Sequence, residues 1–141
     1  MANEEIEEKC IPTTVEVQDI PKDLELDDIV INPNKCLLNS YNVTKKYPDI
    51  YLVEGVILLI DHNNCGTAKE HAWNLKGNIH FDVTKTLWTT EEHKEVAQTK
   101  YIAVKIHTYE NIQNLKSLEF SECTKEGAFA LNFKISNQQK K

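Results

Sequence analysis

The stretch Glu70-His71-Ala72-Trp73-Asn74, followed by Lys76-Gly77 and then Phe81-Asp82-Val83-Thr84, constrains this chain more than any other. Two antiparallel strands over 71–75 and 78–84, joined by a two-residue turn at Lys76-Gly77, pair residue 75 with 78 and, working outward, 71 with 82. His71 then stands opposite Asp82 on one face, with Trp73 and His80 beside them. Ala72, Asn74, Ile79 and Phe81 make a mostly apolar second face suited to a core. Side chains alternate with period two, so a slip of one residue separates His71 from Asp82. The hairpin therefore offers an imidazole oriented by a carboxylate, two of the three members of a nucleophilic triad.

The missing member is a nucleophile, and the four cysteines at 10, 36, 65 and 123 are the candidates. Asn32-Pro33-Asn34 is a turn signal, and Asn34 can cap a helix that begins near Lys35 or Cys36. Leu37, Leu38, Tyr41 and Val43 give that helix an apolar stripe, and Pro48 stops it. Cys36 thus falls in the first turn, where unpaired backbone N–H groups and the helix dipole suit an anion. The same N–H groups lie where the oxyanion of an attacked carbonyl forms. The competing role for Cys36 is that of a small buried hydrophobe. Cys65 sits in the turn His62–Gly66 with no helix behind it, and ranks below Cys36.

Around these residues the pattern reads as one α+β domain, with an N-terminal cysteine-bearing helix packed on an antiparallel sheet. Tyr51–Asp61 is apolar on both faces, as a central buried strand is. Glu54 interrupts it, either as a satisfied core carboxylate or as a wall of the site, and Gly55 marks a bulge or a close backbone approach. Thr89 with Glu92 resembles a capping box for a helix over 90–97, which leaves His93 on a solvated face. Tyr101–His107 alternates as a half-buried strand, and Ile112, Leu115 and Leu118 place a helix over 109–120. Phe129, Leu131, Phe133 and Ile135 share one face of an alternating segment after Gly127. The organisation is an acidic, partly ordered lead-in over 1–28, with Val15–Gln18 and Leu24–Leu26 as short edge strands, a single domain over 29–135 and a polar tail over 136–141.

At 141 residues the chain is long enough for one real core. A formal net charge of −6, with lysine as the only strongly basic residue, argues against general affinity for nucleic acid or anionic lipid. The longest apolar run, Val56–Ile60, is far too short to span a bilayer. No two cysteines are closely spaced, so free thiols in a reducing cytoplasm are expected rather than a disulfide framework or zinc site.

The order Cys36, then His71-Ala72-Trp73, then Asp82-Val83-Thr84 resembles the transglutaminase-like branch of the papain-like cysteine enzymes. Tyr51-Leu-Val-Glu-Gly55 ahead of this run is similar to small, poorly characterised members, including phage-encoded ones. The likeness covers about residues 34–84. It departs at Leu37, where the family carries Trp or Tyr beside the nucleophile, and in lacking an upstream glutamine for the oxyanion. The resemblance implies a thiol hydrolase, peptidase or acyltransferase working without a cofactor on an amide-containing peptide or small molecule. Cys36, His71 and Asp82 become a catalytic triad, and Trp73, Glu54 and Asn34 contact or shield the substrate.

Two other readings compete with it. A binding or inhibitor protein on the same fold would use the ten acidic residues of 1–28, against only Lys9 and Lys22, to meet a basic protein partner. A metal held by Cys36, His71 and Asp82 is the weaker option, because a carboxylate opposite a histidine orients it better than it shares a metal with it.

Overall fold

The computed structural model describes residues 12–32, 35–62, 66–84, 96–115 and 117–139. In chain order the elements are β1 (Thr13–Val15), β2 (Val17–Gln18), α1 (Cys36–Lys46), β3 (Tyr51–Asp61), β4 (Gly66–Lys76), β5 (Ile79–Phe81), β6 (Val96–His107), α2 (Tyr109–Gln113) and α3 (Glu122–Gln139). The fold is α+β.

The six strands form one sheet in the order β1-β6-β3-β4-β5-β2. β1 and β2 are separated only by Glu16, yet they pair at opposite ends of the sheet, β1 antiparallel to β6 and β2 parallel to β5. One short stretch of chain thus draws both ends together, and the sheet curls around an interior. Val53, Ile57, Trp73, Tyr101 and Ala103 fill that interior, with Val15 and Val17 packed against them. Each large side chain so buried contributes about 1.5–3 kcal/mol. Gly55 makes room for Trp73: a Cβ there would lie 2.5 Å from the indole ring and 2.2 Å from the Ile102 carbonyl oxygen.

β3 is the buried central strand its apolar faces predict, flanked by β4 and β6. On the outer face, Val56, Ala68 and Val104 pack against Ala128 of α3. Asn132 of α3 also accepts from the Ala68 N–H (2.8 Å) and donates to the Ala68 carbonyl (2.9 Å), as a neighbouring strand would. A separate cluster of Val43, Ile50, Phe81 and Val83 joins α1 to the hairpin, covered by Ile20, Leu24, Leu26, Ile29 and Ile31.

Several expectations are corrected. Of the lead-in expected over 1–28, residues 13–15 and 17–18 are strands of the sheet, Ile20, Leu24 and Leu26 pack on the core, and 24–26 is not a strand. The alternating segment after Gly127 is helix, not strand: Ala128 and Leu131 meet the sheet at helical spacing while Phe129 is 72% exposed. That helix takes in most of the expected tail. The helix expected over 109–120 ends at Gln113. The helix over 90–97 falls largely outside the described residues, and Val96 opens β6. Cys123 is disulfide-bonded, so the four thiols are not all free; Cys36 is the free cysteine among the described residues. No helix is long and apolar enough to cross a membrane among the described residues.

Candidate active site

The hairpin turns one residue later than its sequence suggests, which shifts the pairing register by two. Lys76 pairs with Ile79, Leu75 with His80 and Asn74 with Phe81, so Gly77 and Asn78 make the turn, with Gly77 at φ +62°. A shift of two preserves the faces, and His71 and Asp82 stay on the same side. They are diagonal rather than directly opposed, because β5 stops at Phe81 and Asp82 leaves the ladder to reach back. His71 Nε2 donates to Asp82 Oδ2 at 2.7 Å, with both residues buried.

Asp82 is held from three sides. Its Oδ2 also accepts from the Tyr101 hydroxyl at 2.8 Å, and its Oδ1 accepts from the Thr84 N–H at 3.0 Å. Burial raises the Tyr101 pKa, and the neighbouring Asp82 charge adds to the rise, so the phenol stays a neutral donor. Trp73 is fully buried and lies against His71, with ring centroids 6.2 Å apart, and its Nε1–H donates to His80 Nδ1 at 3.0 Å. His80 therefore partners Trp73, and Asp82 partners His71. Burial lowers the His80 pKa, which keeps Nδ1 an acceptor.

α1 begins at Cys36, and no side chain caps its first turn. The Cys36 side chain is half-buried and close enough to His71 to help raise the imidazole pKa. Burial pulls the His71 pKa down, but the hydrogen bonds and charges of Asp82 and Cys36 outweigh it and raise the value to about 9. A proton thus rests on the imidazole at neutral pH, between a carboxylate and a sulfur.

A brace missed at the sequence level fixes α1 against this centre. Asn39, one turn beyond Cys36 and fully buried, donates to Thr84 Oγ1 at 2.9 Å. Its side chain also pairs with both backbone groups of Asn32. The cysteine helix and the aspartate turn are therefore tied through Thr84. Nothing local marks Asn39, because its partners are 7 and 45 residues away.

The remaining site residues fall out differently. Glu54 pairs with Ala72 while His71 pairs with Gly55, so Glu54 faces the opposite side of the sheet. There it accepts from His107 Nε2 (2.6 Å), from the Ser121 N–H and hydroxyl (each 2.9 Å) and from the Thr124 hydroxyl (2.8 Å). It is a satisfied core carboxylate, not a wall of the site. Trp73 has no exposed surface and lies against His71. Asn34 lies outside the described residues. Among the described residues no three His, Cys, Asp or Glu side chains form a group that could hold a metal ion, and His71 stands between Cys36 and Asp82 as a relay does.

No family model, curated protein or solved structure matches this chain.

Proposed function

We propose that this protein is a thiol hydrolase or acyltransferase acting on an amide bond through a thioester on Cys36. The observation that carries the reading is the buried His71–Asp82 pair, with Cys36, the first residue of α1, close enough to act on the imidazole. His71 holds the proton taken from the thiol, and the resulting sulfur anion attacks the carbonyl carbon. Backbone N–H groups of the first turn of α1 receive the oxyanion. His71 then protonates the leaving amine, and water or a second amine releases the acyl group from sulfur. The arrangement that the resemblance to the transglutaminase-like enzymes implies is a cysteine helix beside a sheet, and here α1 lies beside a curled, mostly antiparallel sheet, with histidine on one strand and aspartate just past its neighbour.

The test is alkylation of Cys36 by iodoacetamide at neutral pH, followed by peptide mapping under non-reducing conditions so that the Cys123 disulfide stays intact. In His71→Ala the rate at Cys36 falls by roughly tenfold or more. Equal rates in both proteins, or a Cys36 that reacts only on unfolding, refute the reading.

The ordered acidic strap favours a second reading, a protein that binds a basic partner. Asp19, Asp23, Glu25, Asp27 and Asp28 are exposed while Ile20, Leu24, Leu26 and Ile29 turn into the core. Lys76 holds Asp23 at 3.2 Å and Lys46 holds Asp28 at 2.6 Å. Such an association weakens steeply with salt. The expected cytoplasmic setting rested on free thiols, and the disulfide at Cys123 removes that premise.

A further inference from the structure

We infer that Tyr101 is a positioning residue that sets how tightly His71 holds its proton, by sharing the oxygen of Asp82 on which His71 depends. The inference rests on the proposed relay and deepens it. Tyr101 Oη and His71 Nε2 both donate to Asp82 Oδ2, at 2.8 and 2.7 Å, and the two rings lie 6.1 Å apart. Tyr101 is 5% exposed, so water does not replace its hydroxyl, and it comes from β6, on the far side of β3 from His71. Its ring is clamped edge-on against Trp73 at 5.0 Å, which fixes where the hydroxyl points.

A relay of this kind has opposite needs. The imidazole must keep a proton while the sulfur attacks, then surrender it to the leaving amine. A buried carboxylate whose charge was answered by His71 alone would bind that proton too well. The Tyr101 hydroxyl takes part of the negative charge of Oδ2, and the Thr84 N–H takes part of that on Oδ1, so the pull on His71 is moderated. Among the described residues, the titratable groups seen around His71 are Cys36 from α1, Asp82 from the turn after β5 and Tyr101 from β6, with His80 one step away through Trp73. Of these, Tyr101 is the neutral donor in contact with the carboxylate, so its removal alters the pull without removing a charge.

The experiment follows the His71 ring by NMR across pH in the intact protein, alongside Cys36 alkylation. In Tyr101→Phe, which keeps the ring and its packing, the His71 titration moves to higher pH. Site-specific replacement of Tyr101 by 3-fluorotyrosine, a stronger donor, moves it to lower pH. Opposite shifts around the wild type are what a merely structural tyrosine does not give. An unchanged titration in both proteins, or two shifts of the same sign, overturns the inference. Should Tyr101→Phe fail to fold, the fluorotyrosine protein alone decides by the sign of its shift. Failure of the relay itself shows separately, as Cys36 alkylation indifferent to His71→Ala.

Discussion

Among the described residues there are two buried histidine–carboxylate pairs, one on each face of the same sheet, and they are connected differently. His71–Asp82 closes at 2.7 Å and His107–Glu54 at 2.6 Å, and all four side chains are almost wholly excluded from solvent. The second oxygen of Glu54 takes three further hydrogen bonds from Ser121 and Thr124. The Ser121 carbonyl accepts from the Thr124 and Lys125 N–H groups, so Glu54 anchors the start of α3, where the helix dipole favours its charge. The partners of Asp82 lead instead to the site: His71 faces a thiol, and Thr84 is tied to the helix that carries it. A buried pair of this type is therefore not a site in itself. What sets His71–Asp82 apart is the cysteine that acts on its imidazole.

The sharpest way to separate the pairs is to delete Glu54. Glu54→Ala leaves His107, Ser121 and Thr124 without their common partner, and it is expected to cost about 3–5 kcal/mol in urea unfolding. Cys36 alkylation in the folded protein stays as in the wild type. Loss of Cys36 reactivity while the protein is still folded would show that the two pairs are coupled.

Gly55 lies between the pairs, next to Glu54 in the chain and opposite His71 in the sheet. Gly55→Ala forces its methyl group against Trp73 and the Ile102 carbonyl, an overpacking expected to destabilise by about 1–3 kcal/mol. Because Trp73 backs His71, this variant slows Cys36 alkylation as well, and thermal melts and alkylation rates measured together show both effects.

The finest contrast is by pH. Burial acts to raise the Glu54 pKa, but His107, Ser121 and Thr124 hold it down at about 2, below its ordinary 4.5. Its stabilisation is present above about 4.5 and is lost as pH falls toward 2. His71 is raised from 6.5 to about 9, so its stabilisation is full below about 6.5 and is lost as pH rises through 9. Urea midpoints measured from pH 2 to 10 should show an acid limb that Glu54→Gln flattens and an alkaline limb that His71→Ala flattens. A single variant that removes both limbs would contradict the assignment.

The same contrast explains what was legible in the sequence. His71 and Asp82 were readable because a hairpin is local and its faces repeat every second residue, so an error of two in the register left both side chains together. Cys36 was readable from the turn signal before it and the apolar stripe after it. Glu54 was not, since its partners lie 53 to 70 residues away and no spacing announces them. The helix after Ser121 was misread for the same reason: the anchor at its start comes from β3, while Phe129, Leu131, Phe133 and Ile135 imitate a strand. Tyr101 looked like one more inward residue of an alternating strand, and only its contact with Asp82 distinguishes it.

The curled sheet has a consequence for how the chain comes to be folded. Residues 13–18 leave the ribosome well before β6, yet Thr13 pairs with Ala103, some ninety positions later. The stretch that joins the two ends of the sheet is thus made early and docked late, after β6 has been synthesised. Until then β5 and β6 each carry a bare strand edge, the surface through which nascent chains stick to one another. Refolding yield in this protein should therefore fall with rising concentration more than its stability alone suggests.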